Sequence, residues 1–287
     1  MASLSVAGKY AIITGGGSGI NLAFARLLLS RGCSVLIGDL NLRPEAQQLL
    51  SEYPYPPASS RPSALFHPTD VRSWPQLSAL FDKGLSSFPR LDIVCPGAGL
   101  FEPRFSNFWH PPRTATNPDT PSRDIAADVG GDGCNTYATL DVNLTHPIRL
   151  SQLAIGYWTQ QRAPGCLVHV SSIAGQAASI GTPLYFASKH GLSGFTPMWE
   201  EDPHKAAMLD QKNDLLIDPE EIAEAMLQLC ENPEYGDGTI LEVLIAKQRV
   251  VPTYNADRPS GKGVTVPGYA KAEEELMEGI KNNGLKT

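Results

Sequence analysis

The 287-residue chain has little that would tie it to a membrane, a nucleic acid or a metal. It lacks any uncharged apolar run of about 18 residues, so no segment is expected to span a bilayer. The stretch MASLSVAGKYAIITGGG has no long apolar core ahead of its first strand, so no secretion signal is expected. An excess of positive charge is also missing. The formal net charge is −7, which argues against nucleic acid or an anionic membrane surface as the main partner. Cysteines are few. The five (Cys33, Cys95, Cys134, Cys166, Cys230) are scattered, and no pair has metal-ligand spacing. They read as reduced thiols of a cytoplasmic protein with no bound metal. Internal repeats are absent. What remains is 42% hydrophobic and 18% charged, the balance of a globular protein, and a single domain over 1–287 is expected.

Short apolar runs alternate with helical patterns. KYAIIT (9–14), SVLIGD (34–39), ALFHPTD (64–70), LDIVCPGAG (91–99) and GCLVHVSS (165–172) read as buried strands. Helices are expected near 19–31, 44–52, 74–87, 137–162, from Tyr185 onward, and at 219–231, before a last strand TILEVLIA (239–246). This alternation implies an α/β, Rossmann-type, doubly wound parallel sheet in three α/β/α layers. Residues 101–136 interrupt it with a polar, proline-rich insertion carrying Phe101, Phe105, Phe108 and Trp109. A loop this long reads either as a surface insertion or as a substrate lid built on its aromatics. Residues 247–287 read as a polar C-terminal tail with an amphipathic helix at 269–282.

TGGGSGI (14–20) sits between the first strand and the first helix. Glycines let backbone N–H groups approach a pyrophosphate, and a helix N-terminus adds positive potential. Gly15, Gly17, Ser18, Gly19 and Ile20 are therefore candidate nucleotide contacts. Asp39 ends the second strand. An acid there accepts hydrogen bonds from ribose hydroxyls and repels a 2′-phosphate, which favours NAD over NADP. Arg43 nearby keeps NADP open, and a plain strand-end carboxylate is the alternative reading of Asp39.

Thr14-Gly15-x-x-x-Gly19, Tyr185-x-x-x-Lys189 and Ser172, thirteen residues before the tyrosine, together resemble the short-chain dehydrogenase/reductase family. Within it the chain is similar to fungal members of the 15-hydroxyprostaglandin-dehydrogenase-like type. The resemblance implies an NAD(P)-dependent oxidoreductase interconverting a secondary alcohol and a ketone. Tyr185 would be the general acid/base, Lys189 would lower its pKa and hold the ribose, Ser172 would hold the substrate oxygen, and Asn143 would anchor a relay water. Asp70 and Val71 fall where the family contacts adenine, and Gly97 faces the cofactor. The physics is consistent. A free tyrosine titrates near ~10, and a lysine one helical turn away stabilises the phenolate. Pro147, four residues after Asn143, has no N–H for the Asn143 carbonyl. That carbonyl is then either free to hold a water or simply part of a kink.

Three departures from the family pattern stand out. Asn21 replaces a glycine that allows close helix–strand packing, and Pro96-Gly97 replaces a pair of asparagines whose amide braces neighbouring strands. After Thr196 the text YFASKHGLSGFTPMWEED (185–202) passes straight into what resembles the sequence beyond the nicotinamide-gripping loop. A strand and that loop are missing from the pattern, so the sheet is expected one strand short unless TILEVLIA moves, in parallel, beside the fifth strand. The adenine half of a cofactor should then bind better than its nicotinamide half. The alternative function is a catalytically impaired nucleotide-binding protein, or a non-redox one, on the same scaffold. The expected partner is a small-molecule alcohol or ketone, medium-sized and partly apolar given the insertion and the Met198–Trp199 region. Homo-oligomerisation is implied by the family.

Overall fold

In a computed structural model the chain is described at residues 5–57, 61–124, 136–176, 179–195, 218–235, 239–244, 247–251 and 282. The expected alternation is present. β1 (Tyr10–Thr14), α1 (Gly19–Ser30), β2 (Ser34–Asp39), α2 (Pro44–Glu52), β3 (Ala64–Pro68), α3 (Trp74–Ser87) and β4 (Ile93–Pro96) follow one another. Then come α4 (Ala138–Leu140), a π-helical turn (Asp141–Thr145), α5 (His146–Gln161), β5 (Cys166–Leu167), a 3-10 turn (Ile173–Gly175), α6 (Pro183–Phe195), α7 (Pro219–Glu231), β6 (Ile240–Leu244) and β7 (Lys247–Val251).

Five parallel strands form the central sheet in the order β3-β2-β1-β4-β5. Its two faces are covered separately, as the near-continuous apolar strands require. On one face Ala11, Ile13, Val35 and Ile37 pack with Phe24 and Leu28 of α1 and Ile222 and Met226 of α7. On the other, Ile12, Leu36 and Val94 pack with Leu77 and Leu80 of α3 and Leu150 and Ala154 of α5. Each fully buried aliphatic side chain contributes about 1.5–3 kcal/mol, so these two layers dominate the fold's stability.

Beyond β5, which pairs over two residues rather than across 165–172, the long helix and the last strand differ from expectation. The long helix expected over 137–162 is broken by the π-helical turn, where His146 N–H reaches back to the Asp141 carbonyl. Pro147 cannot donate to Asn143, and widening the turn absorbs the missing bond. TILEVLIA does not enter the sheet in parallel beside β5. Its β6 pairs antiparallel with β7, Ile240 opposite Val251 and Leu244 opposite Lys247. A two-residue connection favours such a hairpin, and Arg249 pairs with Glu242 across it. Among the described residues the main sheet therefore ends at β5. The amphipathic helix expected at 269–282 lies outside the described residues, apart from Asn282.

Candidate active site

The carboxyl ends of β1 to β4 and the chain just beyond β5 open onto one cavity of about 700 Å³, the place where doubly wound sheets bind their ligands. Gly15, Ser18, Gly19 and Ile20 line it from the turn after β1, Asp39 from β2, Asp70 and Val71 from the turn after β3, and Gly97 from the turn after β4. Val170 and Lys189 close the far end.

The glycine-rich turn is a cradle with no room for side chains. Gly15 has φ +73°, and a Cβ there would come within 2.7 Å of the Ala98 Cα. A Cβ on Gly17 would meet the Asn41 carbonyl and, at 2.7 Å, the Asp39 carboxylate. Gly17 itself lies behind the lining rather than in it. Its N–H donates to Asp39 Oδ2 at 2.9 Å, so Asp39 braces the turn as well as facing the cavity. Ser18 caps α1 without a side-chain hydrogen bond, which leaves the first-turn N–H groups for an incoming acceptor. This geometry fits a dinucleotide pyrophosphate.

Tyr185 and Lys189 lie one turn apart on α6, both buried. Lys189 Nζ donates to the Val170 carbonyl at 2.8 Å and lies 5.6 Å from the Tyr185 ring centroid. Asn143, on the π-helical turn, is tied to the chain beyond β4. Its Oδ1 accepts from Leu100 N–H at 2.7 Å, and its Nδ2 donates to the Leu100 carbonyl at 2.8 Å and to Ser188 Oγ of α6 at 3.2 Å. Ser172 precedes the 3-10 turn, which packs against α6, and its Oγ accepts from Ala174 N–H at 3.1 Å. Asn143 and Ser172 are thus each attached to the tyrosine helix, and of the four residues Asn143, Ser172, Tyr185 and Lys189 it is Lys189 that lines the cavity.

The surrounding charges are shaped mainly by burial. Arg72 holds Asp70 with two side-chain bonds, 3.1 and 2.7 Å, which lowers the Asp70 pKa. Burial raises Glu102, Asp124 and Asp141. It lowers His146 to about 4 and His169 to about 3. His146 links Thr14 Oγ1, at 2.9 Å from its Nε2, to the Val142 carbonyl.

Several contributors escape sequence reasoning. Asn21 lines the cavity and donates to the Gly97 carbonyl at 2.8 Å. The described part of the insertion, 101–124, packs on the site: Phe105, Arg123 and Asp124 line the cavity, and Ser106 bonds Thr139 through side chain and backbone. Glu102 reaches the Tyr185 backbone. The only sequence cue was an amide in a glycine's place at position 21; nothing local marks Glu102. Thr196, Met198 and Trp199 lie outside the described residues.

A family model described as short chain dehydrogenase matches residues 9–207. The chain is 30% identical over 196 residues to 15-hydroxyprostaglandin dehydrogenase (NAD(+)) of Homo sapiens, covering 67% of this chain and 61% of that protein. It is 33% identical over 195 residues to the short-chain dehydrogenase/reductase ascJ of Acremonium egyptiacum, covering 67% of this chain and 56% of that one. The matched stretch thus spans less than two thirds of these relatives. A crystal structure of a short chain dehydrogenase from Mycobacterium avium superposes with TM-score 0.63 at 20% identity, over 99% of this chain and 97% of that one, a likeness of fold.

Proposed function

The chain belongs to the short-chain dehydrogenase family, and from that premise we propose that it is an NAD(P)-dependent oxidoreductase interconverting a secondary alcohol and a ketone, with Tyr185 as general acid/base. One observation carries the reading: a glycine cradle and Lys189 line one cavity, and the buried Tyr185 lies one turn from Lys189 on α6.

Gly15, Ser18, Gly19 and Ile20 would hold the pyrophosphate, Asp39 the adenosine ribose, and Asp70 and Val71 the adenine, with Gly97 beside the dinucleotide. A bound nicotinamide supplies or accepts the hydride. Lys189, anchored on the Val170 carbonyl, keeps a positive charge against the Tyr185 ring and favours the phenolate. Tyr185 then gives its phenolic proton to the ketone oxygen, or takes the alcohol proton in reverse. Ser172 would orient that oxygen. Asn143, fixed by Leu100 and Ser188, would hold a relay water near the helix.

NAD is preferred to NADP because the Asp39 carboxylate occupies the ribose end of the cavity and Arg72 is engaged with Asp70. Arg43 on the same wall supports the NADP reading. The substrate is a medium-sized, partly apolar alcohol or ketone, with the aromatics of 101–124 as a lid. Unchanged kinetics and substrate range after deletion of 104–134 would remove the lid. We place the protein in the cytoplasm; no helix among the described residues is long and apolar enough to cross a membrane. It would assemble as a homo-oligomer through the helices flanking the sheet.

A second reading, a catalytically impaired nucleotide-binding protein, is favoured by the main sheet's ending at β5 among the described residues. Turnover of alcohols or ketones with NAD(P), abolished in Tyr185→Phe, supports the enzyme. Cofactor binding with no turnover across a broad panel supports the second reading.

A further inference from the structure

Glu102 is an unusual residue for its place. It is 4% exposed, although a lone carboxylate is costly to bury. Its backbone has φ +37°, in the left-handed region that residues with a Cβ rarely adopt. What holds it there is hydrogen bonding. Oε1 accepts from Phe108 N–H at 3.0 Å, inside its own loop. Oε2 accepts from Tyr185 N–H at 2.9 Å, and Leu184 N–H also bonds the carboxylate. These two amides belong to the first turn of α6, whose N–H groups have no partner within the helix. A negative charge at that end is also favourable to the helix dipole. This cap comes from a residue 83 positions away.

Two neighbours share the task. The Phe101 ring packs edge-on against the Tyr185 ring, with centroids 4.8 Å apart. Trp109 Nε1 donates to the Ile180 carbonyl at 2.7 Å, just before α6. The same loop continues to Phe105, Arg123 and Asp124 in the cavity wall. One carboxylate, with one oxygen on each side, therefore joins the loop that reaches the cavity wall to the backbone of Tyr185.

We propose that Glu102 is a positioning residue that fixes the first turn of α6, and so the Tyr185 phenol, relative to the substrate cavity. The proposal rests on the reading of Tyr185 as acid/base. Reacting groups misplaced by about 1 Å lose on the order of 100-fold in rate, so a backbone anchor at the tyrosine itself acts on the chemical step. A carboxylate has two acceptor oxygens and a glutamine amide has one. Glutamine can serve the loop or the helix, not both, and alanine serves neither.

The test uses the full chain with Glu102→Gln, Glu102→Ala and, alongside, Tyr185→Phe. Turnover and NADH affinity are measured for each, together with the phenolic carbon resonances of the chain labelled at tyrosine. Tyr185→Phe identifies the Tyr185 resonance by its loss. If Tyr185→Phe abolishes turnover, the kinetics decide. Glu102→Ala should lower kcat about 10- to 100-fold with NADH affinity and KM nearly unchanged, and Glu102→Gln should recover part of the loss. An unchanged kcat in Glu102→Ala overturns the proposal, as does a parallel loss of kcat and NADH affinity or a glutamine variant no better than alanine. If the chain has no turnover, or keeps it in Tyr185→Phe, the acid/base reading fails and the resonance decides. A Tyr185 signal that moves in Glu102→Gln while the other tyrosines stay supports the positioning role; an unmoved signal overturns it.

Discussion

The side-chain amide of Asn21 donates to the backbone carbonyl of Gly97 at 2.8 Å, joining the first helix to the turn after the fourth strand. Asn21 Oδ1 also lies 4.0 Å from the Cys95 thiol. Two departures from the family pattern thus answer each other: the amide absent after β4 is supplied from α1, and the glycine at 97 makes room for it. A Cβ on Gly97 would collide with Asn21 Oδ1. Gly97→Ala should therefore displace Asn21 and weaken NADH binding about tenfold, roughly 1.4 kcal/mol. Asn21→Ala, which leaves a buried carbonyl short of its donor, should cost about 1–3 kcal/mol in denaturant unfolding. Wild-type stability in Asn21→Ala would show the bond to be incidental.

Lys189 offers a second check. Its ammonium is fixed by the Val170 carbonyl close to the Tyr185 ring. Lys189→Met removes the charge that favours phenolate while keeping most of the side-chain volume. Turnover should fall on the order of 100- to 10,000-fold, as for other losses of acid–base function. Turnover within a few-fold of wild type would remove the lysine from the chemistry.

Acid should destabilise the protein through its buried imidazoles. His146 titrates near 4 and His169 near 3 in the folded chain, against an ordinary value of 6.5, because burial disfavours the charged ring. As pH falls below 6.5 the unfolded chain takes up these protons and the folded chain does not. Stability present above 6.5 is therefore lost progressively toward pH 4, at up to about 1.4 kcal/mol per pH unit for each histidine. Glu102, Asp124 and Asp141 act in the opposite sense. Burial raises them, so the folded chain gains by protonating them as pH falls. His169→Gln should flatten the loss measured by urea unfolding between pH 7 and 4.5. An unchanged slope would locate the acid sensitivity elsewhere.

The parts of this architecture that depend on local pattern were legible in the sequence. β1 to β4 are short apolar runs closed by glycine, aspartate or proline, and the glycine turn and Asp39 follow from where those runs end, while Asp70 and Val71 come from the family resemblance. β5 was read as longer than its two paired residues. Strand length depends on a neighbour to pair with, and among the described residues β5 pairs only β4. β7 has no apolar signature of its own, because KQRVV is mostly exposed and polar, and its partner β6 decides it. Glu102 and Asn21 act across 83 and 76 positions, beyond any local periodicity.

Asp39 bears on cofactor choice. It faces the cavity and also holds Gly17 N–H. Asp39→Asn removes the charge that repels a 2′-phosphate while keeping an acceptor for Gly17. The ratio of NADPH to NADH affinity should rise about tenfold or more. No change in the ratio would leave Asp39 as a brace of the turn alone.

The most direct measurement is a calorimetric titration of the full chain with NADH and with AMP. An oxidoreductase that holds the reacting half of its cofactor at Lys189 and Tyr185 binds NADH at least about tenfold more tightly than AMP, a difference of roughly 1.4 kcal/mol or more. Equal, weak binding of the two would mean that only the adenine half is held, and would contradict catalysis at Tyr185.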